Sequence, residues 1–123
     1  MSHSTIPIKR IPVCGTDIDA VAMEDAMVLL DEMIEDGSGH FVCFCESHLC
    51  VQATRDSQVD AALKGASLVL PDGVAMTVGA RLLGEALPER LQGPRVMFEY
   101  CRRGVTRGVR HFFYGGDPGL QRQ

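Results

Sequence analysis

The chain has 123 residues, a length that fits one domain. Its composition, 46% hydrophobic and 23% charged, excludes a disordered or fibrous chain. No apolar run approaches the roughly 20 residues of a membrane-spanning helix, and Met1 to Arg10 carries no secretory apolar region. A cytoplasmic protein is therefore expected. Five cysteines, an odd number without a secretion signal, argue against a disulfide framework. The net charge of -4 is uneven: residues 1–80 balance to -8 and residues 81–123 to +4. A basic second part suits phosphates or an anionic membrane surface, although solvated helix faces explain it more simply.

Strands and helices are expected to alternate along the chain. Ile8 to Val13 reads as a first strand, with Pro12 placing it at an edge or ending it early. Asp19 reads as the cap of a helix to about Asp36, with Met23, Met27, Leu30 and Ile34 on one face. Gly37-Ser38-Gly39 stops it. Phe41 to Cys45 reads as a buried strand, followed by a helix from Ser47 to Arg55. Ser57 with Asp60 has the form of a capping box for the next helical turn, which Gly65 ends. Ser67 to Leu70 is a third strand, broken by Pro71-Asp72-Gly73. Val74 to Leu83 is a helix with Gly84 at its end. Pro94 to Arg103 is another helix, and Val109 to Tyr114 a fourth strand before the turn Gly115 to Gly119. The fold class expected is α/β: a mostly parallel, Rossmann-like sheet with helices on both faces. Only Leu120 to Gln123 follow the last turn, where a crossover helix and strand would belong. Residues 1–123 are thus expected to form a single domain that is the N-terminal portion of a longer one.

Parallel sheets bind ligands beyond the carboxyl ends of their strands. Asp72, the Cys43–His48 region and the Gly115 turn all fall there. Asp72 is the sharpest candidate, because a carboxylate at a strand end can take a proton from a substrate hydroxyl. Capping the next helix is an equally good account of it. Gly73 beside it allows a tight turn and close approach. Gly115 and Gly116 can expose N–H groups to phosphate, although a plain turn is commoner. Cys43, Cys45, His48 and Cys50 form a C-x-C-x2-H-x-C run of zinc-ligand types, but its spacing departs from two separated pairs. Asp17-Ile18-Asp19 matches a D-x-D metal pattern that helix capping explains more cheaply. Arg90 can grip phosphate with its planar fork. Arg102, Arg103, Arg107 and Arg110 lack the interleaved aromatics of a nucleic-acid surface and are read mainly as exposed surface, with attraction to a membrane or a pyrophosphate second.

Together, several blocks resemble the WecG/TagA/CpsF family of bacterial glycosyltransferases, from about Pro12 to Gly119. They are Val13-Cys14-Gly15-Thr16-Asp17-Ile18-Asp19, Ala66-Ser67-Leu68-Val69-Leu70-Pro71-Asp72-Gly73-Val74, Ala80-Arg81-Leu82-Leu83-Gly84, Leu87-Pro88-Glu89-Arg90-Leu91-x-Gly93, and Phe112-Phe113-Tyr114-Gly115-Gly116-x-Pro118-Gly119. The resemblance implies inverting transfer of an N-acetylmannosamine-type or related sugar. The donor would be a UDP-sugar. The acceptor would be a sugar on a polyprenyl diphosphate at the inner face of the cytoplasmic membrane, in cell-surface polysaccharide synthesis. It implies Asp72 as catalytic base, with Gly73 beside it. Arg90 and Gly93 would serve substrate binding, and Gly115 and Gly116 the nucleotide. No cofactor, metal or nucleic acid is called for, and homo-oligomerisation is left open. The family pattern T-x-N-x-x-H reads Cys43-Phe44-Cys45-Glu46-Ser47-His48 here, so Cys43, Cys45 and His48 are the substrate-binding candidates of that strand end. Cysteine replaces an amide poorly as a hydrogen-bonding group. Arg95 stands where the family often has Asp. The alternative is a truncated, inactive nucleotide-sugar-binding or interaction domain.

Overall fold

A computed structural model describes residues 6–117. Among the described residues, two small sheets and five helices make up the fold. Strand β1 (Lys9–Val13) pairs antiparallel with β2 (Thr16–Ala20). The turn between them is Cys14-Gly15, both left-handed at φ 51° and 81°. Two such residues make the hairpin turn whose twist matches the flanking strands. Helix α1 (Met23–Glu35) follows, then β3 (Val42–Cys45), α2 (Ser47–Arg55), α3 (Ser57–Gly65), β4 (Leu68–Pro71), α4 (Val74–Leu82) and α5 (Gly93–Gly104). Strands β3 and β4 pair in parallel, with Val42 opposite Leu68 and Cys45 opposite Pro71.

Strand β4 is the centre of the molecule. All four of its residues are buried, the pattern of a strand covered on both faces. Val69 packs with Ile11, Val13 and Ile18 of the hairpin, Cys50 and Ala53 of α2, Leu63 of α3 and Met76 and Ala80 of α4. Leu68 and Leu70 pack instead with Met23, Ala26, Met27 and Leu29 of α1, Leu91, and Val96 of α5. Helices therefore lie on both faces, as expected. The sheet differs from expectation: it is two separate pairs, one of them antiparallel.

Asp19 joins the two pairs. It does not cap a helix; it lies in β2, fully buried, and its Oδ2 accepts the Val69 N–H at 2.7 Å. The Arg10 Nε donates to its other oxygen at 3.0 Å. A side chain thus satisfies a backbone donor of the central strand. Burial raises the Asp19 carboxyl above its ordinary range, against the lowering pull of the Val69 N–H and Arg10.

Helix α1 has no side-chain cap of its own; Ala22 precedes it. Its Met23 N–H donates to Glu89 Oε1 at 3.2 Å, so a distant loop caps it. Ile34, expected on the buried face, is 55% exposed at the helix end. Asp31, buried in α1, accepts hydrogen bonds from Tyr100 Oη at 3.0 Å and Arg103 Nε at 3.2 Å, and pairs with Arg107. Two of the four clustered arginines therefore bind α5 and its C-terminal turn to α1 and are not free surface. Burial and the Asp31 carboxylate push the Tyr100 phenol up to about 12.

The capping-box reading also shifts by one residue. Asp56 caps α3, accepting from Gln58 N–H at 2.9 Å and Val59 N–H at 3.4 Å. Asp60 pairs instead with Lys64 along the helix. The expected strand over Val109–Tyr114 is not formed. The Val109 N–H turns back to the Gly104 carbonyl at 3.1 Å, and Phe112 and Tyr114 are about nine-tenths exposed. His111 to Phe113 flank an apolar cleft over Val42, Phe44 and Val96, with His111 edge-on to Tyr100. A strand needs a ladder partner, and β4 is the only strand that β3 pairs with among the described residues. Pro118 to Gln123 lie outside the described residues.

Replacing Asp19 with Ala removes the acceptor of a buried N–H and is expected to destabilise the fold by about 1–3 kcal/mol, read by urea unfolding. Asp36 gives a pH dependence of the opposite sign to an acid-stabilised group. Hydrogen bonds from Ser38 N–H and Oγ, then His40, hold its carboxyl at about 2, below the ordinary 3.8. Its contribution is full above the ordinary value and fades as pH falls from there toward about 2. Asp36→Asn should therefore flatten the acid limb of an unfolding titration in that window. An unchanged limb would contradict this.

Candidate active site

The carboxyl ends of β3 and β4 form one rim. Asp72 follows β4 directly, and its N–H donates to the Cys45 carbonyl at 2.9 Å, extending the parallel ladder by one rung. Gly73 then turns the chain into α4 at φ 92°, a left-handed value that a side chain would strain. Gly73 is itself the N-cap residue of α4, so Asp72 does not cap the helix. The Asp72 side chain is half-buried, and among the described residues no hydrogen bond or ion pair engages its carboxylate.

The loop before α5 closes on the same rim. The Leu91 N–H donates to the Pro71 carbonyl at 3.2 Å, and Leu91 is fully buried beneath it. This brings Gly93 against Asp72. A Cβ on Gly93 would lie 3.8 Å from Asp72 Oδ2 and 3.6 Å from Phe44 Cγ. Glycine here keeps the approach to the carboxylate open. Helices α4 and α5 both begin at this rim, and neither has a side-chain cap. Their first-turn N–H groups and positive dipole ends favour negative charge nearby.

The third helix start at the rim is different. Glu46 caps α2, accepting from His48 N–H at 2.8 Å and Leu49 N–H at 2.7 Å. Its Cβ is 4.0 Å from the position a Gly73 Cβ would occupy. Glu46 was not singled out from the sequence, although an acidic residue just before a helix is a readable cap signal.

Of the candidate residues, Asp72, Gly73 and Gly93 come together. Arg90 is exposed and lines a cleft of about 240 Å³ with Val74, Thr77, Val78 and Arg81, along the helix that starts beside Asp72. His48 is exposed on the first turn of α2. Cys45 is fully buried in the core, and Cys43 is half-buried against the same cluster. Burial raises the Cys43 thiol, and burial with the neighbouring Cys50 thiol raises Cys45. Gly115 and Gly116 are left-handed, at φ 104° and 74°, in an exposed stretch without strand pairing.

The metal readings separate on geometry. Asp17 is exposed while Asp19 is buried and engaged by Val69 and Arg10, so the D-x-D pair is split. In the C-x-C-x2-H-x-C run, His48 is exposed while Cys45 and Cys50 face the core. No group of three His, Cys, Asp or Glu side chains among the described residues is placed to hold a metal ion.

The model of the glycosyl transferase WecG/TagA/CpsF family matches residues 11–123. An N-acetylglucosaminyldiphosphoundecaprenol N-acetyl-beta-D-mannosaminyltransferase of Bacillus spizizenii is 22% identical over 111 residues, covering 90% of this chain. The chain spans 42% of that relative's length. With the match running over nearly all its residues, the chain belongs to the WecG/TagA/CpsF family of glycosyltransferases.

Proposed function

We propose that the site transfers an N-acetylmannosamine-type sugar, with inversion, from a UDP donor to a sugar carried on a polyprenyl diphosphate, in the synthesis of a cell-surface polysaccharide. The family membership and the name of the Bacillus spizizenii relative support this reading. The observation that carries it is the Asp72 carboxylate: half-buried, at the carboxyl end of a parallel pair, and bound to nothing within the described residues.

Asp72 takes the proton of the acceptor hydroxyl as its oxygen attacks the anomeric carbon from the face opposite the nucleotide. The bond to UDP breaks as the new glycosidic bond forms, and inversion follows from this single displacement. Arg90 meets the diphosphate with its planar guanidinium. The α4 and α5 starts add a positive field to the departing charge. Backbone N–H groups near Gly116 meet the nucleotide, with Gly115 beside them, and His48 and Gly93 border the sugar. The acceptor's lipid brings the protein to the inner face of the cytoplasmic membrane. No helix among the described residues is long and apolar enough to cross that membrane.

A second reading is a nucleotide-sugar-binding domain without turnover. It is favoured by Cys43 and Cys45, which stand where the family pattern has a hydroxyl and an amide and which pack against the core. Donor binding with no sugar transfer would select it.

Asp72→Asn in the whole protein is expected to lower transferase turnover by about 10²–10⁴-fold with the fold unchanged by circular dichroism. Turnover near wild type would remove Asp72 from the reaction. Because no step uses a metal, EDTA should leave turnover intact, measured as sugar transferred to a lipid-linked acceptor. Strong inhibition reversed by a divalent ion would overturn that scheme.

A further inference from the structure

Three sulfur atoms meet in the corner between β3, α2 and α4. Cys45 closes β3, Cys50 stands early in α2, and Met76 stands in the first turn of α4. Cys45 Sγ lies 3.3 Å from Cys50 Sγ, and Cys50 Sγ lies 3.7 Å from Met76 Sδ. Both thiols are buried, at 0% and 1% exposure. No other pair of cysteine sulfurs is in hydrogen-bonding contact among the described residues. The remaining cysteines are Cys14 in the hairpin turn, exposed, and Cys43 and Cys101, half-buried.

We propose that Cys45 and Cys50 are an oxidation site that closes reversibly into an intramolecular disulfide. The two sulfurs already touch. A disulfide of about 2.0 Å asks them to close by roughly 1.3 Å, within reach of small side-chain rotations. Cys45 ends a strand and Cys50 is in the adjoining helix, so the bond would staple a βα turn without threading other chain between. Occasional disulfides in reducing compartments are mostly of this transient, redox-sensing kind.

The oxidant fitting a buried pair is a small peroxide. Its oxygen passes to one thiol, giving a sulfenic acid and one water. The second sulfur attacks the sulfenic sulfur, forming the S–S bond and releasing the second water. Two thiols lose two hydrogens and two electrons, and one peroxide is reduced to two waters. Burial and the facing thiol disfavour the Cys45 thiolate, so the reaction is slow near neutrality and quickens as pH rises. The Cys45 carbonyl holds the Asp72 N–H, so closure of the pair is felt at the rim. The oxidation chemistry stands whether or not Asp72 is a catalytic base.

The reduced protein is treated with hydrogen peroxide, then unfolded and alkylated with N-ethylmaleimide. Its mass should fall by two hydrogens, with two fewer alkyl groups, and dithiothreitol should restore both. Cleavage after glutamate separates the pair at Glu46, so the disulfide should join the peptide ending at Glu46 to the one beginning at Ser47. Cys43→Ser should leave this link intact, and Cys50→Ser should abolish it. The backbone amide resonance of Asp72 should move on oxidation and return on reduction. Alkylation of Cys45 and Cys50 undiminished while exposed Cys14 is oxidised would overturn the site. So would a link through Cys43. Peptide mapping of the wild-type protein decides the question even if Cys50→Ser fails to fold. An Asp72 resonance that stays fixed would overturn the coupling to the rim.

Discussion

One buried carboxylate determines how the two strand pairs meet. Strand β4 has a backbone partner in β3, and its Val69 N–H still needs an acceptor. A buried donor left empty costs about 1–3 kcal/mol. Asp19 meets that need from the hairpin, and Arg10 offsets part of its charge. The hairpin is thereby fixed against the central strand by a specific bond as well as by the packing of Ile11, Val13 and Ile18. Apolar contact alone would tolerate sliding of one pair past the other. A charged hydrogen bond of 2.7 Å sets a single register.

That register decides where the chain leaves the sheet. Because β4 is covered on both faces, its chemistry can appear only at its end. Pro71 accepts the Leu91 N–H and Cys45 accepts the Asp72 N–H, so two loops are tied to the rim by backbone bonds. The side chain of Asp72 is left outside this accounting. Asp19, Asp31, Asp36, Asp56 and Asp60 are each engaged. Of the half-buried carboxylates without a partner among the described residues, Asp25 lies in the first turn of α1 and Asp72 at the carboxyl end of the parallel pair.

Much of the fold is legible in the residues. Strand β4 reads from Leu68-Val69-Leu70 followed by Pro71, α2 reads as a helix over Ser47 to Arg55, and α4 and α5 read as helices beginning after Gly73 and at Pro94. The hairpin is not legible, because Cys14-Gly15 is a weak form of the usual Asn-Gly turn and Asp19 carries the chemistry of a helix cap. The same residue type serves both purposes, and only the position of Val69 decides between them. Val109 to Tyr114 has strand composition, but composition cannot supply a ladder partner. At the site, Asp72 and Gly73 stand out by their place after an apolar run. The nearness of Gly93 depends on the Leu91–Pro71 bond, a contact twenty residues apart in sequence. The role of Glu89 as a cap for α1 is equally non-local.

Glu89 and Leu91 bracket Arg90. One is fastened to the start of α1, the other to the end of β4. The arginine thus extends from a fixed shoulder, with only its own arm at liberty. Immobilising such a side chain forfeits at most about 2 kcal/mol of rotamer freedom. A wholly unanchored segment would forfeit about 1–2 kcal/mol more for every residue it had to order. If Arg90 holds an anion as proposed, little of the binding energy would be consumed in ordering it, and most would be left to hold the ligand.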